Sequence, residues 1–194
     1  MTAPAKRAAT YADLEAVPAH LVAEIIYGAL VTHPRPSPRH GAAAFSLADE
    51  LGTPFQKGRG GGPGGWMFLM EPELHLGANV VVPDLAGWRR EHMPTFPDTA
   101  YIETSPDWVC EILSDRTERY DRNDKRKIYA EAGTEYLWLL DPRSRVLEVF
   151  QLAAGRWLLS ATFTGSDEVR AVPFDAISFS LGLLWPPDPQ PTER

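Results

Sequence analysis

Residues Asp107 to Leu113, Asp-Trp-Val-Cys-Glu-Ile-Leu, form an apolar run broken by one internal carboxylate, Glu111. Successive side chains of a strand point to opposite faces. Val109, Glu111 and Leu113 therefore share one face, and Trp108, Cys110 and Ile112 the other. Both faces are apolar apart from Glu111, which predicts a central strand covered on both sides. A lone carboxylate in that setting is costly to bury, so it is expected to be paired, hydrogen-bonded or bound to a metal. Taken alone, Glu111 fits a structural partner of Arg116 or Lys125 as well as it fits a metal ligand.

A second carboxylate breaks an apolar run in the same way. Asp84 interrupts Asn79 to Trp88, and Pro83 just before it predicts a bulge or a strand end. Two acids on two core strands could meet in space. Close like charges are unfavourable unless a cation lies between them, and Mg²⁺ accepts one or two carboxylates while keeping several waters.

The strand is followed by a helix expected over about Asp121 to Ala132, with Gly133 as its stop. At 100° per residue, Asp121, Lys125, Ile128, Tyr129 and Ala132 fall on one stripe, and its apolar members direct it to the sheet. Lys125 is then the inward cation, while Arg126 and Lys127 point elsewhere. Asp121 reads as a first-turn cap. Two carboxylates and an inward lysine suit phosphodiester hydrolysis. A metal polarises the phosphate and acidifies an attacking water, and the lysine stabilises the pentavalent transition state or positions the water.

At these residues the chain resembles a known family. Val81-Val82-Pro83-Asp84-Leu85-Ala86-Gly87-Trp88, then Pro106 to Ser114, then Arg119 to Pro142 are similar to the putative restriction endonuclease family, a branch of the PD-(D/E)XK nuclease superfamily. The resemblance implies a restriction-endonuclease-like core, a central mixed sheet flanked by helices, and Mg²⁺-dependent cleavage of DNA, with Mn²⁺ as a substitute. It implies that Asp84 and Glu111 bind the metal. The superfamily lysine two residues after the second acid is replaced here by Leu113, and the resemblance places its substitute at Lys125, the residue that helical geometry selects independently. The Glu-x-x-x-Gly hairpin of the family matches Glu24 to Gly28, which makes Glu24 a further metal ligand, a residue that orients one, or an exposed hairpin residue. The histidine before the long helix matches His40, which the sequence alone reads as a helix-start or surface residue.

The rest of the chain predicts a mixed α/β domain over residues 10–185, between a flexible start (1–9) and a proline-rich tail (186–194). Thr10 is placed to cap a helix ending before Pro18, Tyr27-Gly28 to turn a hairpin, and Ser37-Pro38 to open a helix. Ala154-Gly155 is placed to turn a late antiparallel hairpin. Lys57 to Trp66 reads as a connector; it lacks the Lys-Ser/Thr ending of a phosphate loop, although Lys57 and Arg59 could border a groove. The single cysteine excludes an internal disulfide and a multi-cysteine zinc site, and net charge −7 argues against a whole face devoted to DNA. No apolar run reaches membrane-spanning length and no signal-peptide core is evident, so the expected location is cytoplasmic.

The expected partner is DNA, with RNA compatible, no membrane, and a homodimer suited to cutting two strands. The alternatives are a catalytically inactive module of the same fold that binds nucleic acid or a protein partner, and a structural protein in which the buried charges form an Asp/Glu–Lys cluster.

Overall fold

A computed structural model describes residues 7–185. Thr10 caps α1 (Tyr11–Glu15) in a capping box, its hydroxyl accepting the Asp13 N–H while the Asp13 carboxylate accepts the Thr10 N–H. β1 (Leu21–Ile26) and β2 (Ala29–Pro34) form a hairpin whose two turn residues, Tyr27 and Gly28, both have positive φ (48° and 77°). Ser37 caps α2 (Pro38–Leu51), which runs on into a π-helical turn, Gly52–Gln56. After the glycine-rich connector come β3 (Trp66–Met70), β4 (Leu74–Leu76), β5 (Asn79–Val81), β6 (Leu85–Arg89) and β7 (Trp108–Ile112). A π-helical segment, Tyr120–Lys125, continues into α3 (Arg126–Glu131). The chain ends with β8 (Tyr136–Asp141), β9 (Val146–Ala153), β10 (Arg156–Thr164), β11 (Glu168–Val169), β12 (Phe179–Ser180) and a 3₁₀ turn, Leu181–Leu184.

The main sheet has six strands in the order β10-β9-β8-β7-β6-β3. β7 and β8 run parallel, joined by the helical crossover, and the other pairs are antiparallel. β7 is thus a central strand, as its two apolar faces require. A second sheet has the order β2-β1-β5-β4. Val82-Pro83-Asp84 carries the chain from one sheet to the other, so Pro83 marks a change of sheet, and its missing N–H interrupts no ladder. The expected mixed architecture, a central mixed sheet flanked by helices, is the one observed.

The core lies on both faces of the main sheet. On one face, Ala43, Leu47 and Leu51 of α2 pack with Trp108, Trp138 and Leu181. On the other, Ile128 and Tyr129 of α3 and Ile26 and Val81 of the small sheet pack with Val109 and Leu137. Cys110 is fully buried, in keeping with an inert thiol. Among the described residues no helix is long and apolar enough to cross a membrane.

Two expectations need correction. The segment expected to start as a regular α-helix at Asp121 is π-helical to Lys125, and Asp121 is not an exposed cap but a buried residue, 3% exposed. Of the expected flexible start, residues 7–9 are described, and the Ala9 N–H donates to the Gly28 carbonyl at 2.8 Å. Residues 1–6 and the expected tail 186–194 lie outside the described residues.

Candidate active site

β6 and β7 place the first two acids. Leu85 pairs with Cys110 and Ala86 with Val109, so one step further sets Asp84 opposite Glu111. Both lie on the face that α3 covers, where directly opposed side chains have Cβ atoms about 5 Å apart. Asp84 Oδ2 accepts the Ile112 N–H at 2.6 Å, which fixes its carboxylate at the strand end. Asp84 Oδ1 lies 3.2 Å from Nε2 of His40, in the first turn of α2. His40 is therefore part of the site and not a surface residue.

The helix supplies the cation. Lys125 Nζ lies 2.8 Å from Glu111 Oε1, 3.1 Å from Glu24 Oε1 and 3.5 Å from Asp121 Oδ1, and reaches the Val82 carbonyl at 3.3 Å. Tyr129, one turn on, donates its hydroxyl to the same Glu111 oxygen at 2.5 Å. Glu24 comes from β1 and is buried; its Oε1 also accepts the Val82 N–H at 2.8 Å, and its Oε2 faces His33 Nε2 at 3.5 Å. Thus Glu24, Asp84, Glu111 and Lys125 are all brought to one place, and Glu24 is not an exposed hairpin residue.

Sequence reasoning did not single out Asp121, Tyr129 or His33. The signal for the first two was present, because both lie on the Lys125 stripe. For His33 the signal was the hairpin register: Glu24 pairs with Val31, so His33 is its diagonal neighbour on the same face. Arg126 and Lys127 do point away, Arg126 lying over the Phe150 ring at 4.4 Å and Lys127 standing exposed. Lys57 and Arg59 are not among the residues that line the cleft.

The electrostatics follow from three carboxylates around one ammonium, with Asp84 nearby. Burial lowers the Lys125 pKa, but Glu111 and Glu24 outweigh it and hold it well above the usual lysine range. Burial pushes Glu24 up, yet Lys125 and the hydrogen bonds from His33 and Val82 prevail and hold it at about 2. Burial raises Glu111 well above its ordinary value, with Lys125 opposing and Asp121 and Asp84 adding to the rise. Burial likewise lifts Asp121 to about 6 against the pull of Lys125. Burial disfavours His40 protonation, but the Asp84 contact raises it overall. The cluster sets four carboxyl groups, those of Glu24, Asp84, Glu111 and Asp121, around a single lysine, an arrangement in which a further cation is stabilising.

His33, His40, Asp84, Glu111, Asp121 and Lys125 line a cleft of about 450 Å³, bounded by Pro34–Pro36 and Arg39 on one side and Asp115–Thr117 and Arg143 on the other. Among the described residues no three His, Cys, Asp or Glu side chains form a ready-made coordination set, because Lys125 takes the middle of the acidic group. The donors that remain still fit a hard cation. The described hydrogen bonds and ion pairs of Glu111 use Oε1, leaving Oε2 for a ligand, and Asp84 presents a carboxylate from the adjacent strand. Two carboxylates completed by water suit Mg²⁺.

The fold is that of a nuclease-like class. The crystal structure of a putative nuclease belonging to DUF820 from Anabaena variabilis ATCC 29413 matches with a TM-score of 0.74, at 20% identity, over 91% of this chain and 97% of that one. A family model, Uma2, described as putative restriction endonuclease, matches residues 8–182, and the chain belongs to that family. No curated protein matches the chain.

Proposed function

We propose that this protein is a metal-dependent endonuclease that hydrolyses phosphodiester bonds in DNA. One observation carries the reading: Asp84 and Glu111 face a single cleft from adjacent strands, and Lys125 touches Glu111 at 2.8 Å. Asp84 and Glu111 would hold Mg²⁺ or Mn²⁺. The metal, when bound, supplies Lewis-acid polarisation of the phosphate and a more acidic water.

The remaining chemistry belongs to the chain's own groups. Lys125 presents a fixed positive charge where negative charge develops on the phosphoryl oxygens. Glu24 has Oε1 engaged by Val82 and Lys125 and Oε2 facing His33, so we assign it the role of positioning the lysine and not that of a third metal ligand. Tyr129 holds Glu111 in one rotamer, and the Ile112 N–H holds Asp84. DNA is preferred over RNA because the family description is that of a restriction endonuclease. A homodimer would supply the two sites needed to cut both strands.

A second reading has its own observation. Lys125 already pairs with Glu24, Glu111 and Asp121, so the cluster could serve the fold alone, within a catalytically silent module that binds nucleic acid or a protein partner. A nicking assay on supercoiled plasmid with Mg²⁺, Mn²⁺ or EDTA separates the two. The nuclease reading expects nicking that needs metal and disappears in Asp84→Ala and Glu111→Ala. Folded wild type that leaves plasmid, linear duplex and single strands intact with every metal tried would overturn it.

A further inference from the structure

We infer that Arg116 is the residue that grips the substrate's phosphate backbone beside the carboxylates; the inference rests on the nucleic-acid substrate proposed above. The site has an electrostatic difficulty. Glu24, Glu111 and Asp121 surround Lys125, with Asp84 beside them, so a phosphodiester reaching the base of the cleft meets more carboxyl groups than ammonium groups. Something cationic at the rim has to draw it in.

Four arginines line that cleft, and their states differ. Arg143 is committed to Asp141, Glu118 and Asp115. Arg35 faces Glu71 at 3.5 Å and donates to the Ala19 carbonyl at 3.2 Å. Arg39 is also engaged. Arg116 is exposed on the cleft rim, and among the described residues it makes no hydrogen bond, ion pair or ring contact. It is the rim guanidinium whose donors remain for a ligand. A guanidinium binds phosphate oxygens in pairs, which fixes orientation as well as adding affinity.

The backbone that carries Arg116 is pre-set. Arg143 bonds Asp115 on one side of it and Glu118 on the other, the latter at 2.7 Å. Within the same turn, Ser114 and Thr117 hydroxyls are 3.0 Å apart, and the Glu118 N–H donates to the Ser114 carbonyl at 3.0 Å. Ser114 lies two residues beyond the end of β7, so the turn is joined closely to the strand that bears Glu111. One arginine thus clamps the turn and leaves the other free to reach the ligand. Arg143 is a positioning residue in this scheme, and Arg116 the contact.

The test is the anisotropy of a fluorescein-labelled oligodeoxynucleotide, titrated in EDTA over a range of NaCl concentrations. Arg116→Ala should raise Kd about tenfold, the loss expected of one charge-assisted contact. It should also reduce the salt slope by about one. Arg116→Lys should keep the slope and recover only part of the affinity, because an ammonium cannot bind bidentately. Arg116→Ala with wild-type Kd and slope would overturn the inference, and so would a wild type that binds no oligodeoxynucleotide. Plasmid nicking answers the other question separately. Binding through Arg116 without metal-dependent nicking would remove the nuclease reading and leave this one standing. Nicking by wild type and Arg116→Ala with equal kcat/KM would do the reverse.

Discussion

Lys125 Nζ and Glu111 Oε1 stand 2.8 Å apart, with the two residues 3% and 2% exposed. The pair joins the central strand of the main sheet to the helix that covers it. It also places a positive charge against a carboxylate at the base of the cleft. Removing either partner therefore tests the fold and the site together, and the two effects can be told apart.

Lys125→Met should cost about 3–5 kcal/mol, because Glu111 and Glu24 are left buried without their cation. For a chain of this size that corresponds to a fall in Tm of roughly 10 °C. Glu111→Gln in the same chain should return part of the loss, since the unpaired charge is removed. Calorimetric Tm values of the two single variants and the double variant would show it. A double variant no more stable than Lys125→Met would refute the charge argument.

Divalent metal should stabilise the wild type and not the site variants. Binding to the native state alone raises stability by RT ln(1 + [L]/Kd), about 2.7 kcal/mol at a hundredfold excess over Kd. Mn²⁺ should therefore raise the Tm of wild type, and Asp84→Asn and Glu111→Gln should melt at the same temperature with and without it. Titration calorimetry on the same proteins checks the stoichiometry.

Asp121 gives a signed pH dependence. Its pKa is about 6 in the folded state, above the usual unfolded value near 3.9. Between roughly pH 4 and 6 the folded state holds the extra proton, so this group makes stability fall as pH rises, with the full penalty above about 6. Asp121→Asn should accordingly be more stable than wild type at about pH 7.5, and the difference should vanish near pH 4. Glu24 acts with the opposite sign: its pKa of about 2 gives stability that is complete above about 4.5 and lost as pH falls toward 2. Urea unfolding of wild type, Asp121→Asn and Glu24→Gln across pH separates the two.

Gly87 tests the packing under the site. It lies in β6 between β3 and β7, and a Cβ there would come 2.7 Å from Phe68 Cε1 and 3.2 Å from Trp108 Cε3. The absent side chain lets those two rings meet edge to face at 5.8 Å. Gly87→Ala should destabilise by about 1–3 kcal/mol through overpacking. Urea midpoints report it, and unchanged stability would mean that the rings move aside freely.

Much of this was legible in the sequence because the signals were local conflicts. Glu111 in an apolar strand and Asp84 after Pro83 are out of place in any core, and helical spacing alone turns Lys125 toward them. Thr10, Tyr27-Gly28 and Ser37-Pro38 mark their elements through backbone preferences that act within a few residues. Asp121 carries two conflicting local signals: an acid near a helix start suits a cap, while its place on the Lys125 stripe turns it inward, and the packing of the helix on the sheet decides for burial. His40 gave no local sign, since its partner Asp84 is brought to it by the docking of α2 on the sheet.

By itself the sequence determined the carriers of charge and the elements that hold them, because alternation along strands and spacing along helices depend only on neighbouring residues. The tertiary structure decided which charges meet. The change of sheet at Val82-Pro83-Asp84, the β6–β7 register and the crossover that lays the Lys125 stripe over Glu111 are long-range pairings. They turn four separately costly buried charges, Glu24, Glu111, Asp121 and Lys125, into one cluster, and neutralisation at a few ångströms is possible only once the chain has folded.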